Sequence, residues 1–218
     1  MKPAPTHPSG SESVDSIVNT GFSIGMSQVK EEVRDFIEYF KSKPLTNFLE
    51  IGTKWGGNFY MLADICSHNG NGKKISIDLP GGDFGGWVLN GEHPYIENTL
   101  AKRNKYLKSQ FSNVYLIENN SHYVGARLAV EKIIGNEKLD MLYIDGDHTY
   151  EGVKKDYEMY QDLVKKDGWI IFHDINDSEH HRDMGVGVGK FWKELQGHKQ
   201  EFNTHKHWAG IGIIKQCK

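Results

Sequence analysis

Phe48-Leu-Glu-Ile-Gly-Thr-Lys-Trp-Gly-Gly57 decides the reading of this chain. An apolar run leads into one acid, Glu50, and then into a glycine turn. Asn58 to Cys66 (NFYMLADIC) follows and reads as a helix. A buried strand that ends in a glycine loop and feeds a helix suits a nucleotide-type ligand. Glycine lets the backbone approach closely, and the helix N-terminus offers unpaired N–H groups. The spacing is Glu50-x-Gly52-x-x-x-Gly56-Gly57. It is neither the G-x-G-x-x-G dinucleotide fingerprint nor a P-loop, which needs Gly-Lys-Ser/Thr.

Four further strands extend the pattern. Lys73 to Asp78 is a short strand ending in a carboxylate 26 residues past Gly52. An acid at the end of the second strand is where such sheets hold ribose hydroxyls. Val114 to Ile117 precedes Glu118-Asn-Asn-Ser-His122. Leu139 to Asp145 and Gly168 to Phe172 are the fourth and fifth strands. Amphipathic segments lie between them: about Gln28 to Lys41 with Ser27 as N-cap, Tyr95 to Phe111, Tyr123 to Ile134, and Glu151 to Lys165. Strands alternating with helices predict a parallel sheet covered on both faces. Val188 to Leu195 reads as a short helix and Trp208 to Ile214 as a last strand, with the segment around Phe202 pairing to it. Phe191 and Trp192 are expected to pack that helix on the sheet. The fold class is α/β, a doubly wound, mostly parallel seven-stranded sheet.

At 218 residues the chain suits one α/β domain. Residues 1–20, rich in Pro, Gly and Ser, read as a flexible tail, leaving 21–218 as the domain. Leu79 to Gly86 and Asp174 to Gly187 read as loops. A net charge of −3 makes no electrostatic case for nucleic acid. No apolar run reaches the roughly 20 residues of a membrane span. Two cysteines form neither a disulfide framework nor a zinc site, so the cytoplasm is the expected compartment.

Ile144-Asp-Gly-Asp-His-Thr-Tyr-Glu-Gly152 carries the most chemistry. Asp145, Asp147 and His148 follow a hydrophobic strand, and His173-Asp174 ends the next one. Open α/β sheets bind ligands at the carboxyl ends of their strands, and neighbouring strands bring those ends together. Two Asp and a His are competent ligands for a divalent cation. Structural readings stand beside these. Glu50 can stabilise its turn, Asp147 can cap the helix near Tyr150, and His148 and His173 can serve as hydrogen-bonded structural residues. His180, His181, His205 and His207 read as surface or loop residues. The pairs Lys154–Lys155 and Lys165–Lys166 read as solvated faces.

The glycine motif resembles the first motif of class I S-adenosylmethionine (SAM) methyltransferases. With IDGDHTYEGVKKDYEMY, DGWIIFHDI, GVGVGKFW and SIDLPGG, residues 28 to 214 resemble small bacterial O-methyltransferases. These are related to macrocin and mycinamicin sugar O-methyltransferases and to cephalosporin-hydroxylase-like proteins. The resemblance implies that Glu50, Gly52, Thr53 and Gly56 frame the methionine end of SAM. Asp78 would bind the ribose, Ser121 and His122 would sit at the adenine, and Asp145 near the methionine end. It implies a divalent metal, magnesium or manganese, on Asp145, His173 and Asp174. His173 departs from the acidic pair of metal-dependent relatives. Imidazole is a poor magnesium ligand and a better one for manganese, iron, zinc or nickel. The implied reaction is methyl transfer to a hydroxyl of a small molecule or sugar, with His148 as the proton acceptor and Asp147 as its orienter. Membrane and nucleic acid are not implied as partners, and a homo-oligomer is open. Two alternatives stay open: a different, hydroxylase-like enzyme on the same scaffold, or a SAM-binding regulatory protein.

Overall fold

The structure, a computed structural model, describes residues 13–68, 70–79 and 98–217. Its centre is a seven-stranded sheet in the order β3-β2-β1-β4-β5-β7-β6. β1 (Phe48–Ile51), β2 (Lys74–Asp78), β3 (Val114–Glu118), β4 (Leu139–Ile144) and β5 (Val164–His173) run parallel. β6 (Lys199–Phe202) and β7 (Ile211–Lys215) form a hairpin, and β7 joins β5 antiparallel. Every residue of β1, β2 and β4 is buried, which is why these strands read as nearly continuous apolar runs. The strand order reverses between β1 and β4, so a crevice opens above their carboxyl ends.

Helices cover both faces. α1 (Val14–Ile24), α2 (Lys30–Lys41), α3 (Gly57–Ser67) and α4 (Asn98–Gln110) contribute to one core with Phe48, Tyr143, Trp169 and Phe202. α5 (Val124–Ile134), α6 (Tyr150–Tyr160) and α8 (Val188–Glu194) contribute to the other. Phe191 and Trp192 pack edge-on or tilted against Phe172, as expected of the last helix. α7 (Glu179–Asp183) is a single short helix within a segment expected to be all loop.

Several sequence expectations are corrected. The tail does not extend to residue 20. Ser13 caps α1 by accepting the Ser16 N–H at 3.2 Å, and Val14, Ile17, Val18 and Gly21 are buried. The spacing is helical, and the face is needed because α3 is apolar nearly all round. Gly57 to Cys66 are all buried, with α1 as part of their cover. Ser27 does not cap α2, whose first helical residue is Lys30 with Val29 before it. Ser27 Oγ instead accepts from Lys54 Nζ at 3.1 Å. Helix α6 ends at Tyr160, and Val164–Lys165 already belong to β5, which begins earlier than expected. Lys165 keeps a partly exposed side chain, and its amine pairs with the buried Asp140 carboxylate. Residues 1–12, the glycine-rich segment beyond Leu79, and Tyr95 to Glu97 lie outside the described residues.

Candidate active site

A cavity of about 640 Å³ occupies the crevice. It is walled by the carboxyl ends of five parallel strands, with Met26–Gln28 and Trp208 at its margins. Glu50, Gly52, Thr53, Asp78, Ser121, His122, Asp145, Asp147, His148, His173 and Asp174 were all expected at one site. All of these but Glu50 line the cavity; Glu50 lies behind its wall, and Gly56, expected at the same site, does not line it either.

The β1 turn is built around backbone proximity. Gly52 has φ +86°, and a Cβ there would overlap the Asp145 carbonyl oxygen on β4. Only glycine allows the two central strand ends to meet this closely. Gly56 precedes α3 as its N-cap, in the left-handed region at φ +92°. Glu50 is fully buried and accepts from Asn58 Nδ2 at 2.7 Å. Burial pushes its carboxyl up to about 8, against the pull of hydrogen bonds from Asn58 and Thr53. At neutral pH it is therefore mostly the uncharged acid. Asn58 was not anticipated, although it is the one amide in the apolar helix sequence after the turn.

Asp78 is also engaged. Its Oδ1 accepts the Thr53 N–H at 3.3 Å, and its Oδ2 pairs with the buried Arg103 guanidinium of α4. Arg103 also donates to the Lys54 carbonyl at 2.6 Å, tying α4 to the glycine turn. Nothing in the local sequence of α4 singles out Arg103 among its neighbouring lysines. At the end of β3, His122 Nε2 faces the Gly152 carbonyl at 3.2 Å and the buried Asp156 carboxylate at 3.3 Å. The hydrogen bond to Asp156 raises the His122 pKa, against its burial. The Ser121 carbonyl accepts from Tyr160 Oη at 2.7 Å.

At the ends of β4 and β5 two carboxylates meet two imidazoles. His148 bridges them, with Nε2 3.2 Å from Asp145 Oδ1 and Nδ1 3.0 Å from Asp174 Oδ2. His173 Nδ1 lies 3.2 Å from Asp145 Oδ1 and 3.3 Å from Asp174 Oδ1. Gln28 Nε2 adds a donor to Asp145 at 3.3 Å. Asp174 sits in the left-handed region at φ +58°, which turns its side chain back toward His148. Burial alone would lower both histidines, but the Asp145 and Asp174 charges outweigh it. His148 is held well above its ordinary value and His173 near 10. The same pairs pull both aspartates down against their burial.

The structure brings His148 as well as the expected His173 to the two aspartates. Ligand atoms of Asp145, His148 and Asp174 all fall within 4.8 Å of one another, a triad that could hold a metal ion. His173 stands beside it. A donor set of carboxylates and imidazole suits a divalent transition metal better than magnesium. Both ring nitrogens of His148 are engaged by the two carboxylates. Asp147 folds over the start of α6, its Oδ1 accepting the Thr149 N–H at 2.9 Å. The helix cap itself is Thr149, which accepts from Gly152 N–H at 3.0 Å.

His181, expected at the surface, is buried. Its Nδ1 meets the Asn176 carbonyl at 2.6 Å, its Nε2 takes the Ala209 N–H at 3.3 Å, and the ring lines the cavity with Nε2 3.7 Å from Asp174 Oδ1. Glu32 was unremarked in the sequence. Its buried carboxylate accepts from the N–H groups of Thr204, His205 and Gly210 and holds the β6–β7 loop beside the cavity.

Residues 49–175 match a family described as a methyltransferase domain, and the chain belongs to that family. Among curated relatives, an uncharacterized protein of Acanthamoeba polyphaga mimivirus, R132, is 31% identical over 160 residues. These are 73% of this chain, which spans 65% of that protein's length. The uncharacterized protein y4gI of Sinorhizobium fredii is 32% identical over 82 residues, 37% of this chain and 8% of that protein.

Solved structures resemble the whole fold. A candidate caffeoyl-CoA O-methyltransferase of Staphylococcus aureus aligns at TM-score 0.62 and 21% identity, covering 94% of this chain and 93% of that one. A methyltransferase of Podospora anserina bound to S-adenosylhomocysteine aligns at 0.60 and 14%, covering 97% and 91%. An O-methyltransferase of Bacillus cereus in complex with the same molecule aligns at 0.55 and 13%, covering 97% and 94%. At these identities the likeness shows the fold. The finer kinship with sugar O-methyltransferases and hydroxylase-like proteins gains no support from these matches. No helix among the described residues is long and apolar enough to cross a membrane.

Proposed function

We propose that this methyltransferase-family protein transfers a methyl group from SAM to a hydroxyl oxygen of a small molecule, with a divalent metal at Asp145, His148 and Asp174. The observation that carries the reading is the single cavity joining two unlike halves. One half holds Gly52, Thr53 and Asp78, and the other holds the carboxylate–imidazole cluster. Its volume suits a cofactor with an acceptor beside it. Bound SAM supplies the methyl as an activated sulfonium carbon. A metal at the cluster would supply a Lewis acid that lowers the pKa of a hydroxyl held there.

The chain's own residues then divide the work. Thr53, Gly52 and the start of α3 hold the methionine end, and Asp78, fixed by Arg103, accepts from the ribose hydroxyls. Asp145, His148 and Asp174, with His173 beside them, orient the acceptor so that its oxygen lies in line with the methyl. Asp147 takes the acceptor's proton. That role passes from His148 because His148 is locked between the two aspartates. The acceptor is a small molecule with the hydroxyl adjacent to a second oxygen, which a metal can chelate.

Calorimetry with SAM and S-adenosylhomocysteine tests the reading. Both should bind, and Asp78→Ala should weaken both by roughly 1–3 kcal/mol through lost charge-assisted hydrogen bonds. No binding to folded wild-type protein would end the SAM reading. Product analysis then separates methyl transfer, which releases S-adenosylhomocysteine, from hydroxylation or from binding alone.

A further inference from the structure

The β3 end of the cavity contains a histidine backed by a buried acid that the catalytic scheme does not use. His122 lines the cavity, while its Nε2 is turned inward to the Gly152 carbonyl and Asp156 Oδ1. Asp156 is wholly excluded from solvent. It comes from the middle of α6, and its Oδ2 lies against Gly146 in the turn after β4. A buried carboxylate is costly unless a donor compensates it, and His122 is the cationic group at hand. With Nε2–H committed inward, Nδ1 is the polar ring atom left for the cavity.

We infer that Asp156 is a positioning residue for the cofactor site, fixing His122 as an imidazolium whose Nδ1–H donates to a ring nitrogen of adenine. The inference rests on the SAM reading above. Adenine offers ring-nitrogen acceptors and an exocyclic amine donor, so a charged His122 reads the former. A neutral one would offer only a lone pair to the amine. The charged groups around the ring are Asp156 and Asp147, which favour the imidazolium, and Lys155, which opposes it. All three come from the β4–α6 turn and α6 itself, so the dyad ties the adenine end to the segment carrying Asp147 and His148.

Titration calorimetry of S-adenosylhomocysteine between pH 6 and 9 tests this. Affinity should be highest at pH 6 and fall about tenfold as pH rises through the raised His122 pKa, the size of one charge-assisted hydrogen bond. Asp156→Asn should move that fall to lower pH and weaken binding at pH 7.5. His122→Gln, whose amide donates at any pH, should bind with no such pH dependence. Should Asp156→Asn not fold, the His122→Gln profile decides alone. An unchanged pH profile in His122→Gln, or in folded Asp156→Asn, overturns the inference. Failure of the wild type to bind at every pH overturns the SAM reading and this inference together.

Discussion

The two halves of the cavity occupy equivalent positions at strand ends, yet they handle buried charge in opposite ways. At β1 and β2 the acids are silenced or clamped. Glu50 is pushed up to about 8 by burial, and Asp78 is held by the Thr53 N–H and Arg103. At β4 and β5 the acids are kept ionised by imidazoles, and the imidazoles are kept charged by the acids. A site that must fit a large, weakly charged cofactor gains from rigid, neutralised walls. A site that must receive a cation gains from anions whose positive partners can lose protons. A divalent ion at this cluster would displace the protons on His148 and His173 and leave it matched in charge.

The largest expected effect tests the second half. Asp174→Ala should lose bound metal and lower methyl transfer by at least about 10³-fold, with S-adenosylhomocysteine affinity kept. Elemental analysis and calorimetry on the same sample check this. Treatment with EDTA should abolish turnover, and manganese or another transition metal should restore it better than magnesium. Full activity in metal-free protein would leave the comparison without its chemical basis.

The next effect sharpens the roles inside that half. His148→Ala should lose metal and activity together. Asp147→Ala should lose about 10²–10⁴-fold in kcat while keeping metal and cofactor binding. The opposite pattern, with metal retained in His148→Ala and activity retained in Asp147→Ala, returns the proton-acceptor role to His148.

The smallest effect probes the first half through stability. Glu50 has a folded pKa above its unfolded one, so the folded state holds a proton that the unfolded state releases. Stability from this group is therefore greatest below about pH 4.5 and declines as pH rises toward 8. Glu50→Gln removes that decline while keeping a carbonyl for Asn58. Urea unfolding should find the variant more stable than wild type at pH 8 and no more stable at pH 4. Equal pH profiles would mean that Glu50 is ionised in the fold, and the contrast between the halves would fail. His173 acts in the same sense over a higher pH range. In metal-free protein its stabilising charge is fully present below about pH 6.5 and is lost as pH climbs toward 10.

The sheet was legible because fully buried parallel strands announce themselves as short apolar runs, each ending in a glycine or a charged residue. Asp78, Asp145 and His173–Asp174 were expected at one crevice by that logic, since parallel neighbours align their ends. Tertiary packing decided which side chains meet. Gln28 reaches Asp145 across 117 positions of sequence, and Arg103 reaches Asp78 across 25. His148 turned out to bridge Asp145 and Asp174 instead of standing free, and residues 14–20 became a helix because α3 had apolar surface to cover. Local periodicity records whether a residue is buried within its own element. The partner of a charged group is set by how distant elements dock, and only the folded arrangement determines that.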